Sequence, residues 1–138
     1  MISNLNTVEI EALSLISPGC NLKCSYCNID KANKTSINNN FLQNSIKAIE
    51  DGSYLNNIQK VLKRLNQPRN KIKFFEIWGG EPTLLIPALN KKLEDWLNTF
   101  SYITDIEMST NGIANIDELY NFCVNWDKYT QVPVRYGL

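Results

Sequence analysis

Three cysteines, Cys20, Cys24 and Cys27, stand close together at the spacing C-x3-C-x2-C. Spacing this tight lets one loop place three thiolates around a single compact metal centre. Three sulfurs leave one position of a cubane iron–sulfur cluster without a protein ligand, and an iron left open in this way can bind a small molecule. A metal-bound thiol is deprotonated by the metal itself, so no neighbouring base is needed. The competing chemistry is a structural zinc site that takes Cys123 as its fourth ligand, because such sites favour closed four-cysteine shells. Zinc ribbons, however, pair two C-x2-C knuckles, whereas Cys123 stands alone beside Leu119 and Val124 on an apolar helical stripe. A free cysteine in that setting behaves as a small buried hydrophobe. Spacing alone leaves cluster, zinc and coincidence open.

Two further segments carry polar or conformationally permissive residues where a ligand could sit. In Trp78-Gly79-Gly80-Glu81-Pro82 the glycines permit positive φ and close approach of backbone to a ligand. Pro82 stiffens the chain and brings no N–H donor. Carbonyls and the Glu81 carboxylate are acceptors, so this turn suits an amino or cationic partner. It makes a poor phosphate cradle, since no Gly-x-Gly-x-x-Gly or Walker pattern surrounds it. Ser109-Thr110-Asn111-Gly112 is a similar segment, with hydroxyls and an amide that could reach a bound ligand. Asn-Gly is also an ordinary turn signal. Taken alone, the first segment is equally well explained as a plain strand-ending turn, and for the second the plain turn is the better explanation.

The elements that must position these residues can be read from periodicity. Residues 9–16 read as a strand closed by Pro18-Gly19, with the cysteine loop immediately after it. Leu42, Ile46 and Ile49 share a helical face that Gly52 ends, and Leu55, Ile58, Leu62 and Leu65 predict a second helix stopped by Pro68. Residues 72–78 are aromatic and β-branched in bias and run into Gly79-Gly80, which predicts a strand. Leu89, Leu93, Trp96, Leu97 and Phe100 predict one helix with Pro87 in its first turn. Residues 103–109 predict another strand. A helix should follow with Ile116, Leu119, Tyr120, Cys123 and Val124 on one face, Asn115 as its cap and Glu118 completing a capping box. Residues 132–138 open a further strand. Strands alternating with helices predict an α/β fold of parallel βαβ units, about three and a half of them. A closed eight-unit barrel takes roughly 250 residues, so the expectation is an open sheet or the N-terminal portion of a partial (βα) barrel. The last expected strand runs to the final residue with no turn after it, which suggests a truncated chain.

Bulk properties narrow the function classes. The chain has 138 residues, 43% of them hydrophobic, and its fourteen basic residues balance fourteen acidic ones. Balanced charge gives no basic footprint for nucleic acid. The one local excess, Lys60, Lys63, Arg64, Arg69, Lys71 and Lys73, reads as a solvated face. No run approaches the apolar length of a membrane span, and the first residues lack the pattern of a signal peptide. A cytoplasmic location is expected, where thiols stay reduced and serve metal or redox chemistry. Histidine is absent, which removes every mixed Cys/His zinc site and every histidine acid–base scheme.

Taken together, C-x3-C-x2-C after the first strand, Gly-Gly-Glu-Pro after the second and Thr-Asn-Gly after the third resemble the radical S-adenosylmethionine (SAM) superfamily. Tyr26, the aromatic just before the last cysteine, fits the same pattern. The resemblance runs from about Ile10 to Leu138 and implies one radical SAM core domain over residues 1–138, incomplete at its C-terminal end. It implies that Cys20, Cys24 and Cys27 ligate a [4Fe-4S] cluster whose fourth iron is chelated by the amino and carboxylate groups of SAM. Tyr26 would pack near the adenine, and Gly79, Gly80, Glu81 and Pro82 would receive the methionyl amino group. Thr110 and Asn111 would line the pocket. The implied activity is an oxidoreductase-type reductive cleavage of SAM to a 5′-deoxyadenosyl radical that abstracts hydrogen from substrate, so no side chain need act as acid or base. A flavodoxin- or ferredoxin-like electron donor is the implied partner. The Trp-Gly-Gly-Glu-Pro-Thr context is similar to the branch that modifies peptides and proteins.

Overall fold

The structure, a computed structural model, describes residues 10–17 and 37–138, without the side chains of residues 37–40 and Arg69. The cysteine loop, and with it Cys20, Cys24, Tyr26 and Cys27, lies outside the described residues.

Four strands form one sheet: β1 (Ala12–Ser17), β2 (Phe74–Gly79), β3 (Asp105–Met108) and β4 (Arg135–Gly137). Their order is sequential and each neighbouring pair is parallel. Between the strands run α1 (Ile37–Glu50), α2 (Ser53–Arg64), α3 (Ile86–Lys91), α4 (Leu93–Phe100) and α5 (Ile116–Tyr129). This is the expected α/β alternation, consistent with part of a (βα) barrel, and the sheet is not closed. Sequential order has a consequence for the faces. Crossovers of one hand between successive neighbours keep their helices on the same side of the sheet. That side is buried: Leu15, Phe75, Ile77, Ile106 and Met108 point into the core. The alternating residues Ser14, Ile16, Trp78 and Glu107 face the other way and are exposed.

Aromatic rings fill the layer between sheet and helices. Phe75, fully buried, stacks on Trp96 with centroids 5.8 Å apart and lies 6.0 Å from the ring of Trp126. Trp96 in turn stacks on Tyr54 and contacts Phe100, so β2, α2, α4 and α5 share one cluster. Phe75→Ala should therefore cost about 3–5 kcal/mol, the usual range for truncating a buried phenylalanine. A lowered urea midpoint at unchanged m-value would show it.

Three local expectations need correction. The stripe from Leu89 to Phe100 is not one helix. Lys92 leaves helical geometry (φ −119°, ψ 18°) and divides it into α3 and α4. Asn115 does not cap α5 through its side chain. It adopts left-handed geometry (φ 55°) and donates instead to the Thr83 carbonyl at 2.9 Å, while Glu118 accepts from the Asn90 amide at 2.7 Å. The inward face of α5 is also rotated from the expected one: Leu119, Phe122 and Trp126 are buried, but Ile116, Tyr120 and Val124 are exposed. Cys123 is half-buried against the core, as a small hydrophobe would be, and burial pushes its thiol pKa up. Lys60, Lys63, Arg64, Lys71 and Lys73 all face solvent.

Candidate functional site

β1 ends at Ser17, β2 at Gly79 and β3 at Met108, and all three ends lie at the same rim of the parallel sheet. In α/β sheets this C-terminal rim is where ligands collect. The cysteine loop starts directly after Ser17. The Gly-Gly-Glu-Pro turn starts at the end of β2, and the Thr-Asn-Gly turn just past the end of β3. The two described motifs, separated along the chain, are thus carried by strand register to the rim at which β1 ends.

The β1–β2 junction is close-packed at its end. Ser17 pairs with Gly79, and the Gly80 N–H donates to the Ser17 carbonyl at 2.9 Å. Gly79 has φ +115°, and a Cβ built on it would sit 2.4 Å from that same carbonyl oxygen. Only glycine fits here, for both conformational and steric reasons. With the Gly80 N–H engaged and Pro82 lacking one, the turn is short of donors and offers acceptors.

Glu81 is fully buried. Its Oε2 accepts from the Thr83 N–H at 3.0 Å, the Thr83 hydroxyl at 2.5 Å and the Thr110 hydroxyl at 2.6 Å. Its Oε1 accepts from the Asn111 N–H at 2.7 Å. Burial alone would raise the pKa of this carboxyl, but the donors from Asn111, Thr110 and Thr83 outweigh it and hold the pKa below the usual glutamate value. Glu81 therefore stays ionised at neutral pH. The Thr83 N–H bond also caps the short 3-10 turn Pro82–Leu84, which leads the chain into α3. Thr110 is satisfied on both sides, because its Oγ1 also accepts from the Gly112 N–H at 3.1 Å.

The exposed face of the sheet opens beside this rim into a cleft of about 270 Å³ lined by Glu76, Trp78, Glu107, Ser109 and neighbouring residues. Glu76 and Glu107 are register partners on adjacent strands, and Glu76 accepts from the Ser14 hydroxyl at 3.0 Å. Neither glutamate stood out in the sequence, although their alternation with Phe75, Ile77 and Ile106 was the available signal. Among the described residues no group of three metal-ligating side chains assembles.

A parallel, sequentially ordered βα sheet whose strand ends meet at one rim defines an α/β protein. Residues 14–128 match the family described as the Radical SAM superfamily, and the chain belongs to it. The chain is also similar to the radical SAM cyclopropyl synthase TigE of Paramaledivibacter caminithermalis, with 28% identity over 116 residues. That similarity covers 80% of this chain and 24% of the relative, so the chain spans about a quarter of that protein's length. No solved structure matches. No helix of the described residues is long and apolar enough to cross a membrane.

Proposed function

We propose that this chain forms part of a single radical SAM core domain in which Cys20, Cys24 and Cys27 hold a [4Fe-4S] cluster and the rim beside them binds SAM. The meeting of the Gly-Gly-Glu-Pro and Thr-Asn-Gly turns at the strand end that leads into the cysteine loop carries the reading. Bound together, cluster and SAM supply one-electron reductive cleavage of the sulfonium and hydrogen abstraction from a substrate. The chain's own residues bind and orient. Tyr26 would pack near the adenine. The turn from Gly79 to Pro82 fits a methionyl ammonium because it is rich in acceptors: the Gly80 N–H is turned back to Ser17, and Pro82 has none to offer. The same chemistry makes it a poor anion site. The exposed sheet face with Ile16, Trp78 and Glu107, beside the rim, is the surface left open to a substrate. The peptide- or protein-modifying branch is the substrate class that the Trp78-to-Thr83 sequence supports. A flavodoxin- or ferredoxin-like protein supplies the electron, and the location is cytoplasmic.

Anaerobic reconstitution with iron and sulfide, followed by EPR of the reduced protein with and without SAM, tests this directly. A cubane signal that changes on adding SAM is the expected result. Folded protein that takes up no cluster, or a cluster indifferent to SAM, would overturn the reading.

A further inference from the structure

We infer that the Glu81 carboxylate, with Thr110 and Asn111, is a buried clasp that sets the shape of the SAM-receiving turn from beneath, so that these residues position the ligand without touching it. The inference rests on the proposed SAM site and deepens it.

The β2–β3 ladder stops at the pairing of Ile77 with Met108. The motif residues of both strands lie past that point, where no β2–β3 register pair holds them. Glu81 continues the connection. Two of its four bonds are local, from the N–H and hydroxyl of Thr83, and two come from residues 29 and 30 positions later, the Thr110 hydroxyl and the Asn111 N–H. The Asn115 side chain adds a parallel tie to the Thr83 carbonyl. On the other side Gly80 is bound to Ser17. The acceptor turn is therefore held from both neighbouring strand ends. A ligand ammonium needs an acceptor with a free lone pair and an open approach. The Glu81 carboxylate is fully buried and takes four protein donors, so the carbonyls of the turn are left to meet the ammonium.

All four partners donate, which makes the charge state specific. A glutamine at 81 must turn its NH2 toward one of these donors. Its best orientation keeps the three bonds at the Oε2 position and sets the amide against the Asn111 N–H. Thr110→Val removes the other tie to β3 at nearly constant shape, and Thr110→Ser keeps the hydroxyl.

The experiment titrates SAM into the cluster-reconstituted full chain, reading SAM affinity from the EPR change and cluster occupancy from iron content. Glu81→Gln and Thr110→Val should each weaken SAM about tenfold with iron unchanged, the loss expected for one charge-assisted hydrogen bond. Thr110→Ser should return to wild-type affinity. The double variant should lose less than the product of the two single losses, because Thr110 acts through Glu81. If Thr110→Val binds SAM as wild type does while Glu81→Gln does not, Glu81 contacts the ligand and the clasp is wrong. Strictly multiplicative losses would make Thr110 a separate ligand contact, also against it. A wild-type chain whose cluster ignores SAM would overturn the SAM site itself, and the clasp's role with it. Should Glu81→Gln fail to fold, Glu81→Asp takes its place in the double-variant comparison, and wild-type SAM affinity in Thr110→Val overturns the clasp by itself.

Discussion

Cys24→Ala should reduce the iron bound after reconstitution from about four per chain to near zero, while the far-UV circular dichroism stays that of the wild type. The first expectation follows from coordination. In the proposed site, losing one of three thiolates would leave two sulfurs, too few to hold a cubane, because cluster affinity rests on all of its deprotonated ligands together. The second follows from where the fold is held. The core is built from Leu15 and from residues of α1 onward, with the aromatic cluster of Phe75, Trp96, Phe100 and Trp126 at its centre. All of these described core residues lie outside the cysteine motif in sequence. Cys123→Ser is the matched control: its thiol is half-buried against the core, and burial raises its pKa away from the thiolate that a metal needs. That variant should keep its iron. Unchanged iron in Cys24→Ala, or iron lost in Cys123→Ser, would contradict the assignment of the ligands.

Gly79→Ala is expected to destabilise the chain by about 3 kcal/mol or more, combining unfavourable backbone geometry with a steric collision. At φ +115° an L-residue is already strained. The collision is the larger part, because the new methyl would lie 2.4 Å from the Ser17 carbonyl oxygen, a backbone atom that cannot swing aside. Relief requires β1 and β2 to part at their ends, which would also break the Gly80 bond to Ser17 and displace the start of the cysteine loop. Gly52→Ala separates the two contributions. Gly52 also has positive φ (+81°), but nothing lies within 4 Å of the Cβ it would carry. Backbone strain alone, about 1 kcal/mol, is its expected cost. Urea midpoints for the two variants give the comparison. Equal losses would mean that the junction of β1 and β2 is looser than its geometry indicates.

The sequence carried a good deal of this on its own. Strands and helices follow from local patterns: alternation around Phe75 and Ile77, the 3.6-residue stripe of Leu55, Ile58 and Leu62, and the stops at Gly52 and Pro68. The α/β class follows from their order. The motifs at 79–82 and 110–112 were visible as residue types that permit tight turns. Such signals act over a few residues, so a chain without its fold still displays them.

Other features depended on what docks against what. Helix α5 has two apolar stripes, one through Ile116, Tyr120 and Val124 and one through Leu119, Phe122 and Trp126. Periodicity fits either, and only packing onto Phe75 selects the second. The break at Lys92 lets two short segments follow the core where one straight helix would not. Asn115 and Glu118 satisfied the local rule for a capping box, yet Thr83 and Asn90, distant in sequence, offered them competing partners. Glu81 shows the difference most clearly. Its residue type suggested an acceptor waiting for a ligand, and nothing near it in sequence contradicted that. Folding brings Thr110 and Asn111 against it, and their donors bond the buried carboxylate. A residue's chemistry is written in the sequence. Its partners are fixed by long-range register, and partners decide whether that chemistry faces a ligand or the protein itself.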